Sequence, residues 1–158
     1  MCKRVQVLNN FSREFMDIQI KPLTIEHAED VRRLSEQLGY PLSFNEIENN
    51  IKEVISNNDH SAFVAVRDEK VVGWIHAFRP VFLESKPFIE IGGLVADENY
   101  RGQGIGKKLV ERIKQWCLGK QISTLRVRSQ LKRKDAHQFY LINGFKEIKE
   151  QKVFQVQL

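Results

Sequence analysis

The segment Arg101-Gly102-Gln103-Gly104-Ile105-Gly106, followed by Lys107 and Lys108, is the part of this 158-residue sequence most plainly suited to chemistry. Glycines at this spacing let successive backbone N–H groups turn toward one point, and a helix that starts there adds about half a positive charge. Arg101, Lys107 and Lys108 supply mobile positive charge beside it. In physical terms this is a pyrophosphate-binding design. Two familiar phosphate motifs fail on spacing. A P-loop needs G-x-x-x-x-G-K-[ST], yet Arg101 stands five before Gly106 and Lys107 is followed by another lysine. A dinucleotide fingerprint needs G-x-G-x-x-G near the first strand and an acid about 20 residues on. Here the spacing is G-x-G-x-G past the middle of the chain, and Lys120 to Leu125 contain no acid.

Among titratable groups, Glu90 interrupts the apolar run Phe88-Ile89-Glu90-Ile91. A carboxylate set in such a strand either faces solvent or takes a proton from a substrate, directly or through water. Cys117 shares an apolar helical stripe with Trp116 and is expected in the core. His27, His60, His76 and His137 form no metal-like cluster, and the two cysteines, Cys2 and Cys117, make neither a metal pair nor a disulfide framework. No metal site is expected, and the default setting is reducing and cytoplasmic.

These groups need elements to hold them. A composition of 42% hydrophobic and 28% charged residues excludes fibrous and disordered classes, and no apolar run approaches the ~20 residues of a membrane helix. Met16 to Lys21 alternates like a strand, while residues 1–15 read as an extension, an extra edge segment or an upstream start. Thr24 caps a helix that Gly39 stops, and Ser43 with Glu46 forms a capping box before the stripe Ile47, Ile51, Val54 and Ile55. Ser61–Arg67 and Val71–Phe78 make a hairpin, Pro80 to Pro87 a loop, and Phe88–Ala96 a strand. A helix carrying Leu109, Val110, Ile113 and Cys117 follows the glycine turn. Strand Ile122–Ser129, a short helix over Ala136 to Ile142, and strands Phe145–Lys149 and Val153–Gln157 complete the chain. The order is β-α-α-β-β-β-α-β-α-β-β. This is a mixed α/β sheet of about seven strands, one domain over residues 16–158.

With R-x-x-G-x-G placed after the strand Leu94-Val95-Ala96, the chain resembles the GNAT superfamily of acetyl-coenzyme A-dependent N-acetyltransferases. Two further segments carry the likeness: Ala136-His137-Gln138-Phe139-Tyr140-Leu141-Ile142-Asn143-Gly144-Phe145, similar to A-x-x-F-Y-x-x-x-G-F, and Val71-Val72-Gly73-Trp74 in the central hairpin. The resemblance runs from about Ile18 to Leu158 and implies direct acetyl transfer from a thioester to an amine, without an acyl-enzyme. It implies that Arg101, Gly102, Gln103, Gly104, Ile105, Gly106 and Lys107 hold the pyrophosphate, and that backbone N–H groups near Leu94, Val95 and Ala96 polarise the thioester carbonyl. Gly92-Gly93 is compatible with a bulge there. By the same resemblance Glu90 is the general base and Tyr140 the general acid that protonates the leaving thiolate. The family often has Asn three residues before Ala136; Arg133 stands there instead, and could reach the cofactor's phosphates.

Charge is divided along the chain. Residues 1–100 hold 11 Lys/Arg and 16 Asp/Glu, whereas 101–158 hold 14 and 4. The acidic part, including Glu36, Glu46, Glu48, Glu84 and Glu90, fits a cationic acceptor, a small-molecule or peptide amine. The helices from Thr24 to Asn57 and the Pro80–Pro87 loop are expected to shape its pocket, with His76 a candidate on its wall. A homodimer is compatible with such a family. Two other readings compete: a non-catalytic acyl-coenzyme A-binding module, and a nucleic-acid binder using Lys107, Lys108, Arg112, Lys114, Arg126, Arg128, Lys132, Arg133 and Lys134. The second lacks aromatic residues interleaved with the cations, so neither nucleic acid nor membrane is an expected partner.

Overall fold

Hydrophobic alternation in the hairpin and the helical stripes around it dictate a sheet with helices against it, and the structure, a computed structural model, follows that plan. It describes residues 17–158; the extension read over 1–15 lies outside the described residues. Described residues up to Val127 form one compact unit and Arg128–Leu158 a second.

The first unit runs β1 (Gln19–Pro22), a 3₁₀ turn (Ile25–His27), α1 (Ala28–Leu38), α2 (Phe44–Ser56), β2 (His60–Arg67), β3 (Lys70–Phe78) and β4 (Ile89–Ala96). A 3₁₀ turn (Glu98–Tyr100), α3 (Ile105–Gly119) and β5 (Leu125–Val127) follow. The sheet order is β1-β2-β3-β4-β5, antiparallel except for the parallel β4/β5 pair. The capping box at α2 is formed: the Ser43 amide donates to Glu46 Oε2 at 2.8 Å and the Glu46 amide to Ser43 Oγ at 3.3 Å. Asp68 and Glu69 join β2 to β3 with φ of 48° and 61°, as a type I′ hairpin turn requires.

Each face of the sheet meets a different set of helices. Ala28, Val31, Ile47 and Ile51 from α1 and α2 form one cluster with Trp74 against it. On the other face lie Ile105, Leu109, Val110 and Ile113 of α3, each 2% exposed or less. Gly73 lets α3 come this close. A Cβ there would sit 2.8 Å from Ile105 Cγ2 and 2.8 Å from the Val95 carbonyl oxygen. Gly73→Ala is therefore expected to destabilise the protein by about 1–3 kcal/mol, read as a lower melting temperature. A melting temperature equal to wild type would contradict this packing.

The second unit contains α4 (Lys134–Ile142) and no strand. The mixed α/β class stands, but among the described residues the sheet has five strands rather than about seven. Neither Phe145–Lys149 nor Val153–Gln157 forms a ladder. Their alternation supplies apolar side chains, yet Ile148, Val153, Phe154 and Val156 are at least 69% exposed, and a strand needs a partner as well as a pattern. β5 is likewise shorter than Ile122–Ser129, because its ladder reaches only Ile89–Ile91.

Candidate active site

The site is built around β4. Its register with β3 pairs Gly93 with His76 and Ile91 with Ala77, so Gly92 is the extra residue of a bulge. The bulge expected at Gly92-Gly93 is present. Room is needed there, because a Cβ on Gly93 would lie 2.6 Å from the Trp74 ring, and one on Gly92 would lie 3.0 Å from His76 Nδ1. On the other edge, β5 accompanies β4 only from Ile89 to Ile91. Leu94, Val95 and Ala96 pair with β3 and have no ladder partner on that second edge among the described residues.

β4 leads directly into the glycine turn. Gly102 and Gly104 hold φ of 75° and 78°, values that side-chain-bearing residues rarely adopt, and a Cβ on either would meet nothing within 4 Å. Glycine is needed there for conformation rather than for packing. Gly104 caps α3, whose first turn carries no acid to neutralise the amides of Ile105, Gly106 and Lys107. Arg101, Gly102, Gln103 and Lys107 are exposed beside it. Lys108 is committed elsewhere: its Nζ lies 2.8 Å from Asp17 Oδ1 and 3.2 Å from the Ile18 carbonyl. An exposed cationic turn with three free helix amides and no acid in the helix's first turn fits a pyrophosphate.

Two residues that support this turn were not singled out from the sequence. Arg67, at the end of β2, donates to Gln103 Oε1 and lies 5.8 Å from the Tyr100 ring centroid. Asp97 is 4% exposed, accepts from Arg33 Nη1 at 2.8 Å and from the Asn99 amide at 3.1 Å, and begins the 3₁₀ turn ahead of Arg101. Burial pushes the Asp97 carboxyl up, but its bonds to Arg33, Asn99 and Gln37 outweigh that and hold it below the ordinary value. An Asp opening a 3₁₀ turn was legible; its partner, 64 positions away, was not.

A cavity of about 500 Å³ opens between α1, α2 and the sheet. Trp74, His76, Gly92 and Gly93 form its sheet wall, so it ends at the β4 bulge. The helices from Thr24 to Asn57, expected to shape an acceptor pocket, line this cavity. None of the Pro80–Pro87 loop lines it.

Glu90 pairs with Phe78 in the ladder, and cross-strand partners project to one face, so its carboxylate shares the face of His76 and the cavity. It is 7% exposed and does not line the cavity. His76 is the titratable group on the wall. Its Nε2 lies 3.0 Å from His60 Nδ1, and both rings stack with Phe78. Burial, then the neighbouring His60 charge, pushes the His76 imidazole down to about 4. The unfolded chain thus binds a proton near pH 6.5 that the folded chain refuses until about 4. Stability present above pH 6.5 is lost as pH falls through that window, by up to about 3 kcal/mol. His76→Phe keeps a ring in the stack and should flatten the slope of stability between pH 6.5 and 4. An unchanged slope would assign the loss to other groups.

In the second unit, Arg133 precedes α4 and Tyr140 lies on it. Tyr140 meets Phe139 and Phe145 edge-on, with centroids 5.2 and 5.3 Å apart. Burial raises the phenol, opposed by the charge of Arg133, and the hydroxyl keeps its proton through neutral pH. Cys117 is buried in the first unit's core.

The acids and bases counted from the sequence have local tasks. Glu36 bonds Arg32, Glu46 caps α2, and Glu48 pairs with Lys52 at 2.9 Å. Arg112 and Arg126 lie over the rings of Phe63 and Phe88, 4.3 and 4.1 Å from their centroids. Lys114 bonds Glu111 at 2.8 Å. Among the described residues, no helix is long and apolar enough to cross a membrane.

A family model described as the acetyltransferase (GNAT) family matches residues 19–145. No curated protein matches the sequence. Among solved structures, the aminoglycoside N-acetyltransferase AAC(6')-Iy in complex with coenzyme A has a TM-score of 0.81 at 17% identity, covering 90% of this chain and 96% of that one. Aminoglycoside 6'-N-acetyltransferase AAC(6')-Ih from Acinetobacter baumannii gives 0.80 at 17%, covering 90% and 99%. A GNAT family acetyltransferase from Staphylococcus aureus gives 0.70 at 19%, covering 90% and 100%. At these identities the structures share a fold.

Proposed function

The chain belongs to the acetyltransferase (GNAT) family, and from that premise we propose that it moves the acetyl group of acetyl-coenzyme A directly onto a primary amine of a small-molecule or peptide acceptor. What carries the reading is one juxtaposition: after its bulge β4 has no ladder partner on one edge among the described residues, and a single 3₁₀ turn joins it to the glycine-rich start of α3, whose first turn carries no acid. Arg101, Lys107 and the amides from Gly102 to Gly106 would hold the pyrophosphate, and Arg133 is a further candidate for the phosphates. When bound, acetyl-coenzyme A supplies an activated thioester. The β4 backbone at Leu94 to Ala96 donates to the carbonyl oxygen, where negative charge develops.

Proton handling falls to two side chains. An alkylamine with a pKa of about 10.4 is almost wholly protonated at pH 7, so it must first lose a proton. Glu90 takes it, directly or through water, and Tyr140 gives one to the departing sulfur.

Acetyl-coenzyme A is expected to raise the melting temperature, since it binds only the folded chain. Arg101→Ala should weaken that shift by removing a charge-assisted contact of about 1.5–3 kcal/mol. Calorimetric cofactor affinity is the check. An affinity equal to wild type would remove Arg101 from the site.

A further inference from the structure

We infer that the acceptor is a primary amine carried on an apolar or aromatic body, with no second positive charge inside the cavity. This rests on the acetyl-transfer reading and deepens it. The cavity that ends at the β4 bulge is walled by side chains such as Val31, Leu38, Ile47, Ile51 and Trp74, and among the described residues no Asp, Glu, Lys or Arg lines it. Its polar groups are Ser35, Tyr40, Asn50, His76 and the buried Trp74 indole N–H, and none of them carries a charge at neutral pH. Ser35 Oγ already donates to the Val31 carbonyl at 2.6 Å, and His76, the one titratable imidazole on the wall, stays neutral above about pH 4. Tyr40 and Leu42, 55% and 37% exposed, line it from the α1–α2 connection.

Charge count along the chain points to a cationic acceptor; charge placement limits that acceptor to one cationic group. Glu36, Glu46 and Glu48 are held by Arg32, Ser43 and Lys52, and none faces the cavity. A second ammonium placed there would lose water and find no carboxylate. An alkyl or aryl body would instead bury its surface against aliphatic side chains and the Trp74 ring. A volume of about 500 Å³ suits a small molecule of that kind, within the roughly 300–1,000 Å³ of ordinary ligand sites.

The test compares amines that differ in chain length or in charge on the full chain with saturating acetyl-coenzyme A. Across n-butyl-, n-hexyl- and n-octylamine, kcat/KM should rise about three- to four-fold per added methylene until the cavity is filled. Hexylamine should exceed 1,6-diaminohexane by about tenfold or more, and phenethylamine should exceed spermidine similarly. Leu42→Glu, at a partly exposed lining position, should narrow the hexylamine-to-diaminohexane ratio by raising the diamine. Equal or better rates for the diamine and spermidine would overturn the inference while leaving acetyl transfer intact. Binding of phenethylamine without turnover, read by calorimetry, would keep the apolar cavity and overturn the acetyl-transfer reading. Neither binding nor turnover of any apolar amine would overturn the inference.

Discussion

Replacing Tyr140 by Phe is expected to lower turnover by about 10²-fold or more while the fold survives. The substitution removes one oxygen and keeps the ring, so the edge-on contacts with Phe139 and Phe145 persist. Burial keeps the phenol protonated at neutral pH, which is the state a donor needs. Raising the pH should not rescue the variant, because the departing thiolate still lacks its positioned proton. The measurements are kcat between pH 7 and 10 and the melting temperature. A variant with wild-type kcat and melting temperature would remove Tyr140 from the chemistry.

Glu90→Gln should produce a loss of similar size at pH 7 with a different signature. Acetyl-coenzyme A affinity should be unchanged, since the carboxylate sits on the sheet face of His76 and Phe78, away from the glycine turn. Turnover should recover partly as pH rises toward about 10, where the amine deprotonates without help. A merely structural role for Glu90 would lower activity equally at every pH. The opposed pH profiles of the two variants separate base from acid. If both run at the wild-type rate, proximity and carbonyl polarisation suffice, and neither proton role holds.

Local signals in the sequence identified the parts of this protein that local physics decides. The capping box at Ser43 and Glu46, the hairpin read over Ser61–Arg67 and Val71–Phe78, and the helix after Gly104 each depend on a few neighbouring residues, and each formed within a residue or two of where it was read. Gly73 was noticed as part of a motif, but its reason, the approach of Ile105, lies 32 positions along the chain. Arg67 beside Gln103 and Arg33 beside Asp97 are pairings across the fold that no spacing rule encodes. The strands read over Phe145–Lys149 and Val153–Gln157 failed because alternation describes a strand's faces and says nothing of its partner. The partners of the acidic side chains were not legible for a related reason. Counting acids along a segment ignored the lysines, arginines and capping positions that hold them.

The central claim is that this chain joins an acetyl group to an amine, rather than only holding the cofactor. The direct measurement is a mass balance: purified protein, acetyl-coenzyme A and hexylamine, with free thiol and N-acetylhexylamine quantified together over time. The account predicts one N-acetylated product for each thiol released, with the rate abolished when the amine is omitted. Tight acetyl-coenzyme A binding with no acetylated product from hexylamine, phenethylamine, spermidine or a peptide amine would contradict it and leave a cofactor-binding module without catalysis.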